Sequence, residues 1–416
     1  MKILKITMSI LFATLFFICS HTIVHGHSYV IEESPTPNSM LESSPPEITL
    51  TFNSKVNKDF SLTLSNEQQE VKFNSKKISS DQKQISIQLP PLDAGVYTVK
   101  YYVISSNDGH PIQGSYQFRI NTPPAPENEV NPAPTQNDFA PEVKPTPPEK
   151  NASEIVIYIM KAIYYLGLVT LIGWIIWNRF IKHDHVKSKY LQIGTILQML
   201  HFVGFLSVIL VQQNIFTLNG LSVGFNSPFA TTFNFLTYIA LFMSLFGFIF
   251  LFRRVWFDIA WIVVIVLTKS LTGHAFEFEP TYLLVISDSI HLIAASLWAS
   301  GLVIFVVFWR KQKLFAKHFL PLFSKVAFYS ICILAGTGIF ITVMYIPISN
   351  LFLTTWGLLL FTKTILVVFV ILTATIIRSK MKKNKADLAR WVTIDFLFMV
   401  FILIIVSIFT YVNPLP

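Results

Sequence analysis

Read for the spacing of apolar and polar positions, the chain divides into four stretches. Lys2 and Lys5 precede an apolar run from Ile6 to Ile18, too short to span a bilayer, and Val24-His25-Gly26 then offers a small-residue cleavage site. Residues 1–26 are therefore expected to be a signal peptide, with His27 first in the mature chain; an uncleaved anchor, or a cut one or two residues away, is the competing reading. From Ile48 to Ile120 short alternating runs follow one another between polar, Pro or Gly breaks, among them Ile48-Thr49-Leu50-Thr51-Phe52, Ile85-Ser86-Ile87-Gln88-Leu89 and Val96 to Val103. This period of two predicts an all-β sandwich or barrel over residues 27–120. Residues 121–150 hold nine prolines and almost no large apolar groups, which predicts a stiff, extended spacer. At ~3.1 Å per residue it reaches up to ~90 Å.

Beyond Ala152 the pattern changes to eight apolar segments, near 155–178, 191–215, 233–252, 255–273, 282–309, 322–347, 355–377 and 391–412. Each is long enough to cross ~30 Å of hydrocarbon as a helix, so residues 151–416 are expected to be an α-helical polytopic domain with eight transmembrane helices.

Composition supports this division. Charged residues make up only 13% of the chain and its mean hydropathy is positive, a balance foreign to soluble globules of this size. The net charge of +9 needs resolving by region before it is read as a nucleic-acid signal. Residues 27–150 hold 10 Lys/Arg against 15 Asp/Glu, whereas residues 151–416 hold 20 against 8. The cations fall in the loops after the first, third, fifth and seventh segments: Arg179, Lys182, Lys187 and Lys189; Arg253 and Arg254; Arg310, Lys311, Lys313 and Lys317; and Arg378 through Arg390. The other loops carry no Lys or Arg, only Glu277 and Glu279. By the positive-inside rule this expects a plasma-membrane protein with both termini outside and no nucleic-acid partner.

The two cysteines, Cys19 and Cys332, lie in the removable segment and in an apolar run, so neither a disulfide framework nor a thiolate metal site is expected. Cys19 follows Phe16-Phe17-Ile18, which lacks the small residue expected before a lipid-modified cysteine.

Candidate chemistry gathers at Ser105-Ser106-Asn107-Asp108-Gly109-His110-Pro111, between two strand-like runs. Asp108 and His110 are two apart, so in extended backbone they face one side. A free His27 adds its α-amine and its ring Nδ1. Three nitrogens and one oxygen are a donor set suited to tetragonal Cu(II). The amine binds only when deprotonated, and its ordinary pKa of about 8 makes affinity fall as pH drops. The same residues also read as nothing more than a turn, which Asp, Gly and Pro explain unaided.

A resemblance weighs between these readings. His27 through Phe52, with Ser34-Pro35-Thr36-Pro37-Asn38 and Ser44-Pro45-Pro46, resembles the CopC family of periplasmic copper-binding proteins, as does Asp108-Gly-His-Pro-Ile-Gln-Gly-Ser-Tyr-Gln-Phe118. The resemblance implies an Ig-like or cupredoxin-like sandwich and implies that His27, Asp108 and His110 bind Cu(II). Some members carry a methionine-rich Cu(I) site; Met40 is the only methionine in residues 27–120, so Cu(II) alone is expected here.

In the membrane domain the fourth segment ends in Thr272-Gly273-His274-Ala275, and the fifth holds Asp288, His291, Ala295 and Trp298 on one helical face. Ionisable groups are costly in lipid and usually face an interior path or a partner. His274, Asp288 and His291 form the candidate copper path, joined by His201; Lys269, Lys363 and Asp395 are further intramembrane ionisable residues. A structural hydrogen bond or a snorkelling end is the alternative for any one of them. Gly273-His-Ala, the run from Asp288 to Leu302, and Trp356-Gly-Leu-Leu-Leu resemble the CopD family of copper transport membrane proteins. Where that family often has glutamate in its last helix, this chain has Asp395. Taken whole, the chain resembles the natural CopC and CopD fusions known as YcnJ-like copper transport proteins.

The function expected is capture of extracellular Cu(II) and copper import, without enzymatic activity. No P-loop is present, and no intracellular stretch is large enough to bind ATP, so transport would run on gradients. Inward movement of one positive charge gains ~2.3 kcal/mol per 100 mV of membrane potential. Copper, the bilayer and an extracellular copper chaperone are the candidate partners. The alternatives are a resistance, sequestration or sensing protein, and a membrane copper reductase whose haem would be held by pairs drawn from His201, His274 and His291.

Overall fold

In a computed structural model of the chain, the residues described are 29–66, 69–73, 75–106, 111–121, 152–181, 184–218, 232–276, 278, 280–309, 311–345, 355–382 and 388–410. The expected signal peptide, His27, residues 122–150 of the spacer, and Asp108 and His110 lie outside them.

The N-terminal unit is a β-sandwich. Its strands are β1 (Val30–Ser34), β2 (Met40–Leu41), β3 (Glu47–Phe52), β4 (Val56–Asn66), β5 (Glu70–Val71), β6 (Ser75–Ile78), β7 (Gln84–Gln88), β8 (Gly95–Ser105) and β9 (Pro111–Ile120). One sheet has the order β1-β3-β7-β6 and the other β2-β9-β8-β4-β5. The alternating runs produce this directly. Ile48, Leu50 and Phe52 of β3 are buried, and Ile48 and Leu50 lie opposite Ile87 and Ile85 of β7. From the other sheet Phe60, Leu62 and Leu64 of β4 and Tyr97, Val99 and Val103 of β8 close the same core. Each such side chain contributes about 1.5–3 kcal/mol on burial.

Glu33 breaks the pattern. It pairs with Leu50 across β1 and β3, so it shares the face that Leu50 buries, and the Tyr101 hydroxyl donates to its carboxylate at 3.3 Å. An inward-facing charge on an edge strand opposes pairing with another chain. Gly114 lies opposite Tyr101 in the β8–β9 ladder, and a Cβ there would run into the Tyr101 ring and hydroxyl. Only glycine leaves the tyrosine room to reach Glu33.

The second unit is helical: α1 (Ala152–Trp177), α2 (Asp184–Leu218), α3 (Thr232–Phe250), α4 (Val255–Leu271), a 3-10 turn (His274–Phe276), α5 (Thr281–Trp309), α6 (Lys313–Tyr345), α7 (Thr355–Lys382) and α8 (Leu388–Phe409). Among the described residues six helices, α1, α2 and α5 to α8, are long and apolar enough to cross a membrane. The remaining two, α3 with 19 residues and α4 with 17, are shorter. At 1.5 Å per residue, 17 residues rise only about 26 Å.

Several helices extend beyond the apolar runs. α2 begins at Asp184 and α6 at Lys313, so Lys187, Lys189, Lys313 and Lys317, and Arg378 in α7, stand on helix ends and not in the loops expected for them. Hydropathy marks only the lipid-embedded part of a helix, whereas backbone hydrogen bonding carries it on into water. These cationic ends are stitched together. Arg179 ion-pairs with buried Asp258, which also accepts from the Phe252 main chain at 2.9 Å. Lys189 donates to the Val307 carbonyl at 3.3 Å and Arg378 to the Ser324 carbonyl at 2.7 Å. The polar ends that follow α1, α3, α5 and α7 therefore share one side of the bundle.

Close approach of α1 and α5 depends on Gly173, where a Cβ would strike the Ser296 carbonyl and the Ser300 hydroxyl. Small residues at such crossings let backbones pack where no hydrophobic force acts between helices in lipid.

Candidate functional site

The expected Cu(II) ligands His27, Asp108 and His110 lie outside the described residues; what surrounds their positions in the chain is described. Tyr29, two residues after His27, donates its main-chain N–H to Asn53 Oδ1 at 2.7 Å, and the Asn53 N–H donates back to the Tyr29 carbonyl at 3.1 Å. β8 and β9 pair antiparallel, with Ile104 opposite Pro111. The Ser106 N–H donates to the Lys55 carbonyl at 3.0 Å. Asn53 and Lys55 both belong to the short connection from β3 to β4. That connection ties Tyr29 and Ser106 to one end of the sandwich. Asn53 was not singled out from sequence; its only signal there is a turn-forming residue at the close of an alternating run.

The four membrane candidates occupy three environments. Asp288 of α5 accepts from Ser270 of α4 at 2.7 Å, and Ser289 donates to the same Ser270 hydroxyl at 3.1 Å. One turn on, His291 Nδ1 meets the Thr337 hydroxyl of α6 at 2.8 Å. Lys269 of α4 and Lys363 of α7 both lie within electrostatic range of Asp288, and Lys363 also within range of His291. Their nitrogens sit 5.6 Å from the Tyr165 ring centre and 5.7 Å from that of Phe409. Each ring face attracts the neighbouring ammonium.

His274 stands in the 3-10 turn after α4, since the helix ends at Leu271, short of the Gly-His-Ala run expected to close it. It is buried, with its ring edge-on to Tyr345 of α6. His201 of α2 is fully buried among Tyr164, Phe205 and Trp261, and its Nε2 lies 2.9 Å from the Ser244 hydroxyl of α3. Its Nδ1 has no hydrogen-bond partner among the described residues. Asp395 of α8 accepts from Thr373 of α7 at 2.9 Å. Among the described residues, no three His, Cys, Asp or Glu side chains lie close enough to hold a metal ion together. The bundle thus offers separate polar stations. Ser270, Thr337 and Thr373, which hold three of these groups in place, are small hydroxyl residues that hydropathy does not distinguish from their neighbours.

Comparison with known proteins accords with both halves. The CopC domain family matches residues 30–121, and the copper resistance protein D family matches residues 317–409. The chain is thus similar to a CopC domain and to part of a copper resistance protein D within one polypeptide, and its described residues include six helices long and apolar enough to cross a membrane. Among individual proteins, the copper transport protein CutJ of Bacillus subtilis (strain 168) is 24% identical over 430 aligned residues, which cover 92% of this chain and 74% of CutJ. Two solved structures align with the β-unit. CopC from Methylosinus trichosporium OB3b is 26% identical, with 25% of this chain and 100% of that chain covered and a TM-score of 0.22. PcoC, a methionine-rich copper resistance protein from Escherichia coli, is 27% identical, with 23% and 99% covered and a TM-score of 0.21.

Proposed function

We propose that this chain captures Cu(II) outside the plasma membrane through His27, Asp108 and His110 and passes copper inward through its helical domain. The observation that carries the capture step is the shared anchoring of Tyr29 and Ser106 on the β3–β4 connection, at 2.7 and 3.0 Å. Tyr29 and Ser106, far apart in sequence and each two residues from an expected ligand, are thereby fixed to one end of one sandwich. Preorganisation of this kind lowers the entropic cost of assembling a metal site. With Met40 the only methionine in residues 27–120, a thioether Cu(I) site has nothing to be built from in this domain.

In this reading eight helices cross the membrane, α3 and α4 among them, with both termini outside. Inward copper movement follows the membrane potential. His274, Asp288, His291 and His201 then serve as successive stations, no one of which binds tightly enough to trap the ion. Lys269 and Lys363 beside Asp288 support weak, transient occupancy: at ~6 Å and an effective dielectric of ~20, each repels a unit positive charge by roughly 3 kcal/mol.

The test is EPR of the full-length protein with one equivalent of Cu(II). A tetragonal, nitrogen-rich spectrum is expected, lost in His110→Ala and altered in His27→Ala. The same spectrum in wild type and both variants would place the copper ligands elsewhere.

A further inference from the structure

We infer that Asn53 is the positioning residue for the N-terminal copper ligands, acting through the main chain of Tyr29. The inference rests on the proposed role of His27 and deepens it. Three observations carry it.

First, the contact is reciprocal. Asn53 Oδ1 accepts from the Tyr29 N–H at 2.7 Å while the Asn53 N–H donates to the Tyr29 carbonyl at 3.1 Å, so one residue engages both polar groups of the other. Second, the contact is placed where it is needed. The ladder between β1 and β3 begins at Val30 and Phe52 and is irregular between Val30 and Glu32. Among the described residues regular sheet pairing is therefore interrupted here, and the Asn53 side chain supplies a further cross-link at Tyr29. Third, the connection that carries Asn53 also carries Lys55, whose carbonyl holds Ser106. Movement of this connection is thus felt at both Tyr29 and Ser106.

The chemistry makes Tyr29 a sensitive point. An α-amine and an imidazole of one residue can chelate one ion together, but an unrestrained terminus must lose its conformational freedom when it does so, at about 1–2 kcal/mol per residue. Anchoring Tyr29, two residues along the chain from His27, lowers that cost. Aspartate at position 53 would keep the acceptor for the Tyr29 N–H, whereas leucine would keep the approximate size and remove it.

The experiment is a competitive Cu(II) titration of full-length protein, read together with EPR nitrogen hyperfine structure. It compares wild type, Asn53→Leu and Asn53→Asp, each with the native terminus and with His27→Ala preceded by one extra residue, which removes the ring and the free amine together. Expected is a loss of about tenfold in affinity for Asn53→Leu, the lower end of what supporting residues of metal sites contribute, with a changed hyperfine pattern, recovery in Asn53→Asp, and no further loss when Asn53→Leu is added to the extended His27→Ala protein. An equal loss in both backgrounds would make Asn53 a general structural residue and overturn the inference. So would equal weakness of Asn53→Leu and Asn53→Asp, or wild-type binding by Asn53→Leu. A wild-type protein without nitrogen-rich Cu(II) binding would instead remove the capture reading itself.

Discussion

The Tyr101 hydroxyl donates to the Glu33 carboxylate at 3.3 Å, joining the middle of one sheet to the edge strand of the other. Burial holds the Glu33 pKa above its ordinary value of 4.5, and the Tyr101 hydrogen bond offsets only part of that rise. Glu33 in turn helps push the Tyr101 phenol upward. A carboxylate raised on folding binds its proton more tightly in the native state than in the unfolded one. Its favourable contribution is therefore present at acid pH and is lost as pH rises through 4.5 and beyond. Amide hydrogen exchange across β1 and β8 should show protection that declines through this range in wild type and stays level in Glu33→Gln. A parallel decline in both proteins would contradict the assignment.

Gly114→Ala should displace the Tyr101 ring, because the new Cβ would meet its hydroxyl and ring carbons. Overpacking of this kind costs typically 1–3 kcal/mol. The check is exchange protection in the β8–β9 hairpin, which should fall in Gly114→Ala but be little changed by the same substitution in a Tyr101→Ala background, where the ring it strikes is gone.

How much of this was legible beforehand differs between the halves. Period-two runs such as Ile48 to Phe52 announced the sandwich because a residue's face alternates strictly along a strand. Sheet order and the inward placement of Glu33 were not readable, since both depend on which strands pair and in what register. In the bundle, apolar length located the helices but not their polar ends, and so Lys187 and Lys313 were assigned to loops. Asp288 and His291 stood out as charges in apolar sequence. Their partners Ser270 and Thr337 did not, because hydroxyl residues are ordinary in membrane helices and only tertiary packing selects the ones that bond. Asn53 was equally hidden: its role arises from a contact 24 residues distant in sequence.

Gly173→Leu should separate α1 from α5, since even a Cβ meets the Ser296 carbonyl. Loss of helical packing should appear as a lower melting temperature of the detergent-solubilised protein, with Cu(II) binding per folded molecule unchanged. A melting temperature equal to that of wild type would contradict the close crossing.

Cu(II) affinity should fall as pH drops below about 8, by about tenfold per unit for the α-amine alone, because the proton and the metal compete for one lone pair. Chelator-competition titrations at several pH values check this. A mature protein extended by one residue before His27 should lose that component of the slope, since the His27 nitrogen is then an amide.

Radiolabelled copper uptake by intact cells tests the central claim most directly. Deleting the gene should lower uptake, wild-type protein should restore it, and neither His110→Ala nor His291→Ala should do so fully, the first failing at capture and the second in passage through the bundle. Uptake unchanged by deletion would contradict import and leave a protein that binds copper at the membrane without carrying it.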